Sequence, residues 1–267
     1  IRIRFWSSLR PRSWSYLLRL VTNRTLRQAP YRTVALVPAA GRGLRMGSDT
    51  PKQFRTLGGL PVLVHSLRVL EAADSVDDVI LAVPEADREF CLREIVTRHG
   101  LTKVRKVVAG GDRRQDSVRQ GLSAVDGKPD VVLVHDAVRP FLTREMVEGV
   151  IEQAAKHGAA VVAIPMRDTV KQVGPGHLIQ RTVDRQPLWL AQTPQAFRMD
   201  WLREAHRKAK VEGVTATDDA FLFEWMGHPV VVVEGSGENI KVTRPEDMVI
   251  GEAILSSRAA VRSGGLA

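Results

Sequence analysis

The sequence predicts an α/β protein built on an open, mostly parallel, doubly wound β-sheet. Six apolar runs rich in Val do not alternate with polar residues, which is typical of strands buried on both faces. Amphipathic helical patterns separate most of these runs, and this strand–helix alternation favours parallel strands joined by crossover helices. The 267 residues are enough for one such domain, with ligands expected at the carboxyl ends of its strands.

The elements follow one another in a regular order. The predicted strands are TVALVP (33–38), DVILAVP (78–84), VRKVVAG (104–110), VVLVH (131–135), AAVVAIP (159–165) and PVVVVEG (229–235). The predicted helices are marked by Leu60, Leu63, Val64, Leu67 and Leu70, by Val118, Leu122 and Val125, and by Met146, Val147, Val150, Ile151 and Ala154. Each helical group lies between two strands, as the crossovers of a parallel sheet require.

One segment departs from this alternation. DTVKQVGPGHLIQRTVDR contains two β-like runs around a Gly-Pro-Gly turn and predicts a long hairpin arm over residues 166–190. A two-stranded ribbon is only marginally stable alone in water, so we expect the arm to pack against other protein surface. A second subunit is the natural candidate, which predicts a homodimer formed through the arm. The alternative is a ribbon folded back on its own domain.

The positive charge is concentrated at the start of the chain. The formal net charge is +9, but residues 1–32 contain eight Arg and no acidic residue, and the remainder has 31 basic and 30 acidic residues. Nucleic-acid binders usually carry basic residues on a folded face, so no nucleic-acid partner is expected. Residues 1–32 are expected to be a disordered extension or, alternatively, an organelle transit segment. The domain is predicted over residues 33–257, with a C-terminal tail at 258–267.

The composition also limits the cellular locations and the kinds of chemistry that the protein can have. No apolar stretch is long enough for a membrane span, so no membrane association is expected. The one cysteine, Cys91, excludes a disulfide within this chain and is interpreted as a core thiol. No Ser–His–Asp order or cysteine pair suggests hydrolytic or redox chemistry. We expect a bacterial cytoplasmic protein, or a plastid protein if the extension is a transit segment.

The glycine-rich segment AAGRGLRMGSDTPKQF follows the first strand. Its spacing matches neither the Rossmann fingerprint nor the P-loop. The small residues are Ala39, Ala40, Gly41 and Gly43, and the basic residues are Arg42, Arg45 and Lys52. Small residues let backbone N–H groups approach an anion, and the cations add to its attraction. The segment therefore predicts a polyphosphate site; the alternative is a glycine-rich turn without a ligand.

A second candidate cluster follows the strand VVLVH. An acid at the carboxyl end of a strand can hold Mg²⁺, which prefers one or two carboxylates plus phosphate oxygens and water, so Asp136 is the candidate metal ligand. Arg139 could pair with a phosphate, and His135 is interpreted as structural. In the alternative, Asp136 caps a helix and Arg139 is its surface partner.

Three further segments hold candidate ligand contacts. In GGDRRQDSVRQG, Asp112 and Ser117 could read a base edge, although Asp112 or Asp116 could instead cap the next helix. In ATDDAFLFEW, Thr217 is interpreted as a helix cap. In NIKVTRPED, Lys241 lies between apolar neighbours, which either a binding role or snorkelling to solvent explains.

Together these segments resemble one family. They occur in the order VPAAGRGLRMG…PKQF, GGDRRQDSV, VHDAVRPF, RDTV, TVDRQPLWLAQTPQAF, TDD and NIKVTRPEDM, and nearly span residues 33–255. They are similar to the motifs of the 2-C-methyl-D-erythritol 4-phosphate cytidylyltransferases of the non-mevalonate isoprenoid pathway. The first motif alone marks nucleotidyltransferases in general, whereas the full series is much more specific.

The resemblance implies a Rossmann-like nucleotidyltransferase fold and a Mg²⁺-dependent reaction of CTP with methylerythritol phosphate that releases pyrophosphate. The phosphate of the acceptor would attack in line, so no protein nucleophile is needed. The implied catalytic residues are Arg45, Lys52, Arg185 and Lys241. The implied CTP-binding residues are Ala39, Ala40, Gly41, Gly43, Gly111, Asp112 and Ser117. The implied acceptor-binding residues are Asp136, Arg139, Thr169, Arg185, Thr193, Thr217 and Lys241, with Asp136 also binding the metal.

The resemblance also implies that the arm crosses to a partner, so that each site is shared across a dimer. One departure concerns the acceptor: Val138 stands where many members have Ala, and a ribitol-phosphate branch often has Val. Ribitol-5-phosphate cytidylyltransferase is therefore an alternative enzyme function. An inactive nucleotide-binding module is the alternative of another class.

Overall fold

A computed structural model describes residues 31–41 and 51–264 of the chain. Its strands are β1 (Thr33–Pro38), β2 (Thr56–Leu57), β3 (Leu60–Pro61), β4 (Asp78–Val83), β5 (Val104–Ala109), β6 (Val131–Val134), β7 (Ala159–Pro165), β8 (Val170–Val173), β9 (Ile179–Val183), β10 (Trp189–Arg198) and β11 (Val231–Glu234). All six strands predicted from apolar runs are present, as β1, β4, β5, β6, β7 and β11.

The described residues form seven helices, and the three that contain Leu67, Val118 and Val150 lie where the apolar spacing predicts them. They are α1 (Val62–Ala72), α2 (Arg88–Phe90, continued by the wider turns of Cys91–Thr97), α3 (Arg114–Ser123), α4 (Arg144–His157), α5 (Met199–Glu212), α6 (Asp219–Trp225) and α7 (Pro245–Gly264). Single 3₁₀ turns form at Lys52–Phe54, Glu85–Asp87 and Pro175–His177. The start of helix α4 is fixed by a local signal in the sequence. The Thr143 side chain accepts a hydrogen bond from the Met146 N–H and caps the first turn.

Within the described residues the main sheet has seven strands in the order β11-β7-β10-β6-β1-β4-β5. Neighbouring strands run parallel except at β10, which is antiparallel to both β6 and β7. The sheet is therefore mostly parallel, as predicted, and open at β11 and β5. The apolar runs did not reveal β10, because Gln192, Thr193 and Gln195 interrupt its apolar pattern. Its pairing with β7 also breaks between Ala191 and Gln195.

Helices cover both faces of the sheet, which confirms the doubly wound class. Side chains of α1, α2 and α4 pack on one face, with Ala35 and Val37 of β1 among their partners. Side chains of α3, α5 and α6 pack on the other, against Val34 and Leu36. Successive β1 residues thus enter opposite core layers, which explains why the strands show no polar alternation. Cys91 lies in the first layer as a buried thiol.

The predicted hairpin arm forms a separate two-stranded sheet of β8 and β9. Most of its residues are exposed, including Leu178 at 72% and Ile179 at 64%. The ribbon is therefore not folded back into the core of its own domain. Trp189 and Leu190, which follow the ribbon at the start of β10, are also exposed.

Ordered structure extends beyond both ends of the predicted domain. Residues 1–30 of the predicted extension lie outside the described residues, whereas the Arg32 backbone N–H donates to Asp130 and its guanidinium pairs with Asp78. At the other end, α7 continues seven residues past residue 257. Arg258 anchors this part by pairing with Glu238 and lying over the Phe141 ring, so the predicted tail begins inside a helix.

No helix in the described part of the chain combines the length and apolar character needed to cross a membrane. The cellular location of the protein stays a prediction from the sequence.

Candidate active site

A pocket opens at the carboxyl ends of β1, β5 and β6, where a parallel sheet is expected to bind ligands. It is lined by Pro38, Ala39, Ala40, Gly41, Lys52, Gln53, Gly111, Asp112, Arg113, Arg114, Ser117, Asp136, Ala137, Val138 and Lys241. Nine of the residues predicted to bind ligand are therefore brought together from five separate segments. They are Ala39, Ala40, Gly41, Lys52, Gly111, Asp112, Ser117, Asp136 and Lys241.

The floor of the pocket consists of closely packed backbone. The Gln53 amide donates to the Ala39 carbonyl at 2.7 Å and ties the two ends of the glycine-rich segment together. A Cβ atom at Gly110 would lie 2.4 Å from that of Ala40 and 2.9 Å from Ser117 Oγ, so only glycine allows β1 and α3 to approach this closely. The Gly111 N–H donates to Ser117 Oγ at 3.1 Å.

The Asp136 carboxylate lies at the centre of the charged residues. Its Oδ1 accepts from Arg114 Nε at 2.7 Å, and its Oδ2 lies 2.7 Å from Lys241 Nζ. Burial alone would raise the pKa of this carboxyl, but the charges of Arg114 and Lys241 outweigh it and hold the pKa well below its usual range. The carboxylate therefore stays ionised. Among the described residues no helix backbone N–H donates to this carboxylate, so the alternative interpretation of Asp136 as a helix cap is wrong.

Sequence reasoning gave no role to Arg114. Its second contact is Nη1 to Asp219 Oδ2 at 2.6 Å, and Asp219 Oδ1 lies 2.9 Å from His206 Nε2. Asp219 and His206 are both almost fully buried. The pocket carboxylate is thus connected through Arg114 to the buried interface of α5 and α6. The only sequence signal was the position of Arg114 just after a strand, in the motif GGDRRQDSV.

A buried hydrogen-bond network fixes the backbone that carries Asp136. The Asp136 N–H donates to Thr193 Oγ1 at 3.0 Å, and this hydroxyl lies 3.2 Å from His135 Nδ1. The His135 Nε2 atom lies 3.1 Å from the Arg139 carbonyl, which can only accept, so Nε2 carries the proton and Nδ1 accepts from Thr193. Burial lowers the pKa of His135 to about 4, so the ring is neutral. His135 is structural, as the sequence suggested.

Asn239 joins the loop of Lys241 to this network. Its Nδ2 atom donates to the Thr193 carbonyl at 2.9 Å and to Gln192 Oε1 at 3.1 Å, and its own backbone carbonyl accepts from Arg139 Nη1 at 2.7 Å. The break in β10 pairing thus places Gln192 and Thr193 where they can hold the loop. The sequence marked Arg139 as a possible phosphate partner and Thr193 only through the family resemblance, and it did not mark Asn239.

Other predicted residues lie elsewhere. Gly43 and Arg45 lie outside the described residues. Thr169 and Arg185 are exposed on the arm, where the Arg185 guanidinium donates to the Arg167 carbonyl. Thr217 is exposed before α6, and the cap of that helix is Asp218, whose carboxylate accepts from the Phe221 N–H.

Helix α3 also lacks the cap that the sequence suggested. It begins after Arg113 without a side-chain capping bond. Asp116 instead pairs with Arg113 and Arg119, so neither Asp112 nor Asp116 caps the helix.

Comparison with known proteins supports one family. The family model of 2-C-methyl-D-erythritol 4-phosphate cytidylyltransferase (IspD) matches residues 33–257. The 2-C-methyl-D-erythritol 4-phosphate cytidylyltransferase of Geotalea uraniireducens is 49% identical over 228 residues, which cover 85% of this chain and 97% of that protein. The protein of the same name from Pelotomaculum thermopropionicum is 46% identical over 227 residues, covering 85% and 95%.

Solved structures agree with this assignment. The crystal structure of 2-C-methyl-D-erythritol 4-phosphate cytidylyltransferase from Thermus thermophilus superposes with a TM-score of 0.69 at 37% identity, covering 83% of this chain and 98% of that one. The 4-diphosphocytidyl-2C-methyl-D-erythritol synthase structure from Anaerococcus prevotii gives a TM-score of 0.74 at 30% identity, covering 85% and 99%. The chain belongs to the 2-C-methyl-D-erythritol 4-phosphate cytidylyltransferase family.

Proposed function

We propose that this pocket transfers the cytidylyl group of CTP to 2-C-methyl-D-erythritol 4-phosphate, giving 4-diphosphocytidyl-2-C-methyl-D-erythritol and pyrophosphate for isoprenoid precursor biosynthesis. The observation that supports it best is the meeting of Asp136, Arg114 and Lys241 beside the glycine-rich backbone at the strand ends. This arrangement offers positioning and charge neutralisation, which phosphoryl-type transfer requires. Family membership supplies the identity of the two substrates.

The CTP would lie along the pocket floor. Gly111, Asp112 and Ser117 line the pocket around the start of α3 and would contact the cytosine, as the family resemblance implies. The triphosphate would lie against the backbone N–H groups at Ala39, Ala40 and Gly41, together with Gly43. Cationic side chains of Arg45 and Lys52 would balance the charge that develops in the transition state.

The acceptor phosphate would then attack the α-phosphorus of CTP. An oxygen of the methylerythritol phosphate forms the new P–O bond while the bond to the leaving pyrophosphate breaks, so no proton needs to leave the nucleophile. Lys241 would leave Asp136 to hold the α-phosphate and the attacking phosphate. Arg139, Thr193 and Thr217 would orient the acceptor, as the family resemblance implies.

Asp136 fits a divalent cation that arrives with the nucleotide. The described residues contain no group of three His, Cys, Asp or Glu side chains that could hold a metal by themselves. Mg²⁺ commonly binds through one or two carboxylates plus substrate phosphates and water, which a single pocket carboxylate satisfies. Asp136 Oδ2 would become available once Lys241 turns to the phosphates. The ion would neutralise triphosphate charge during transfer.

A pyrophosphate-release assay tests the proposed function. CTP, UTP, ATP and GTP are each combined with methylerythritol phosphate and with ribitol 5-phosphate, in Mg²⁺ and in EDTA. We expect release with CTP, methylerythritol phosphate and Mg²⁺. Faster pyrophosphate release with ribitol 5-phosphate would favour ribitol 5-phosphate as the acceptor. Val138, the residue that suggested this alternative, lines the pocket. No release in any combination would support the inactive module.

Substituting Gly110→Ala should raise KM for CTP by about tenfold, since overpacking typically costs about 1–3 kcal/mol. The new methyl group would overlap Ala40 and Ser117, which line the nucleotide pocket, and would push β1 and α3 apart. Gly237→Ala is the matched control, because a Cβ there meets nothing within 4 Å. An unchanged KM in the Gly110→Ala enzyme would contradict the placement of CTP between these two segments.

The exposed arm supports a homodimer as part of this proposal. Leu178 and Ile179 expose large apolar side chains on a ribbon that is marginal by itself. A second copy would cover them and bring its own Thr169 and Arg185 to the pocket of the first. Arg185 would then help to position the acceptor phosphate.

Mixed dimers test the shared site. Arg185→Ala and Lys241→Ala subunits should each be nearly inactive alone. Random reassembly of equal amounts should restore about a quarter of wild-type activity, because half of the dimers are mixed and each has one intact site. Failure to recover activity, with mixed dimers verified by mass spectrometry, would place Arg185 in its own subunit's site.

A further inference from the structure

Arg114 joins two buried carboxylates that come from distant parts of the chain. It is the first residue of α3 and lines the pocket. Its Nε donates to Asp136 after β6, and its Nη1 donates to Asp219 at the start of α6. We infer that Arg114, held by Asp219, is a positioning residue for the transfer reaction: it fixes the Asp136 carboxylate so that only one of its oxygens exchanges partners. This inference rests on the proposed function.

The anchor of Arg114 cannot turn to solvent. Asp219 is almost completely buried, with one oxygen on Arg114 and the other on His206, which is itself buried. Removing one partner from such a pair leaves an uncompensated charge in the interior. The successive contacts from His206 to Asp219, from Asp219 to Arg114 and from Arg114 to Asp136 therefore fix the pocket carboxylate from the protein interior.

The two oxygens of Asp136 face cations of different mobility. Oδ1 faces Arg114, which is tethered to two carboxylates, whereas Oδ2 faces Lys241, whose side chain is 40% exposed and reaches on a flexible stem. Lys241 can therefore move to a phosphate while Arg114 keeps Asp136 in place. Misplacement by about 1 Å can cost about a hundredfold in such a reaction.

Lysine could not replace Arg114 in this role. The planar fork of a guanidinium reaches two carboxylates at once, while a single ammonium acts as a point charge on a flexible stem. Arg114→Lys would keep the charge and lose one of the two contacts. It separates the geometric contribution of Arg114 from its charge.

A double-mutant cycle tests the inference with Arg114→Gln, Asp219→Asn and the double variant. We expect each single change to lower kcat by about ten- to a hundredfold with little change in KM for CTP. Because Asp219 would act through Arg114, the double variant should be no slower than the slower single variant. Calorimetry with CTP gives the fraction of competent sites, and kcat is expressed per competent site, which removes losses due to misfolding.

The kcat of Arg114→Lys is expected to lie between those of wild type and Arg114→Gln. Arg114→Lys replaces Arg114→Gln in the cycle if the Gln variant does not fold. The matched controls are Arg144→Lys and Glu148→Gln, which alter an exposed ion pair on α4. Their kcat should stay within about twofold of wild type, as surface pairs contribute little. Losses that multiply in the double variant, or single variants with wild-type kcat, would overturn the inference alone. An inactive wild-type enzyme would instead overturn the proposed function, and this inference with it.

Discussion

Replacing Lys241 with Ala is expected to lower kcat by about a hundred- to a thousandfold, the usual cost of losing one donor to developing charge. Its ammonium lies 2.7 Å from Asp136 Oδ2 and is much more exposed than that carboxylate. It can therefore move to an incoming phosphate, because the buried Asp136 carboxylate that it leaves is still paired with Arg114. The loop itself should keep its place, because the Val242 N–H donates to the Val138 carbonyl and Asn239 is bonded to Thr193.

Steady-state pyrophosphate release gives kcat and KM for this variant. Lys156→Ala is the matched control, since Lys156 is an exposed residue of α4 that pairs with Glu152, one turn away on the same helix. Lys241→Arg should recover part of the rate by restoring the charge. If Lys241→Ala keeps kcat within about threefold of wild type, its proposed role in transition-state stabilisation is wrong.

Asp136→Asn is expected to lower kcat by about a hundredfold and to raise the Mg²⁺ concentration needed for half-maximal rate. The amide keeps the size of the side chain but loses the charge that holds Lys241 and would hold the ion. Glu152→Gln removes an exposed carboxylate of α4 from its ion pair with Lys156 and is the control. An Asp136→Asn enzyme with an unchanged Mg²⁺ requirement would contradict the assignment of Asp136 as the metal ligand.

The same variant should change the dependence of stability on pH. The pKa of Asp136 is lower in the folded protein than in the unfolded chain, so its ionisation stabilises the fold above the unfolded value of about 4. That stabilisation is lost as the pH falls further, toward the folded pKa. Urea unfolding at pH 7 and pH 3 should therefore show a smaller loss of unfolding free energy on acidification for Asp136→Asn than for wild type. An equal loss of unfolding free energy in both proteins would show that folding does not lower the pKa of Asp136.

Much of the fold was predictable because its signals are local. The Val-rich runs that became β1, β4, β6 and β7 carry enough buried apolar surface to show in the sequence without any tertiary information. Strand β10 was not predictable in this way. Its segment around Thr193 contains polar residues that are satisfied by Asp136, His135 and Asn239, and these partners are recognisable only after folding.

The candidate site likewise contains residues that the sequence could reveal and residues that it could not. Ala39, Gly111, Asp136 and Lys241 stood out because small or charged residues next to apolar strands are locally unusual. Arg114 did not, because a cation at the start of a helix has an ordinary surface explanation until its partners are known.

The sequence by itself determined the family, the order of six sheet strands and three helices along the chain, and the residue types that gather at the strand ends. Only the tertiary structure decided that β10 runs antiparallel through the middle of the sheet and that Arg114 joins Asp136 to Asp219. The physical reason is that apolar periodicity is a property of neighbouring residues. The partners of a buried charge, by contrast, can lie far along the chain: those of Arg114 are 22 and 105 residues further on.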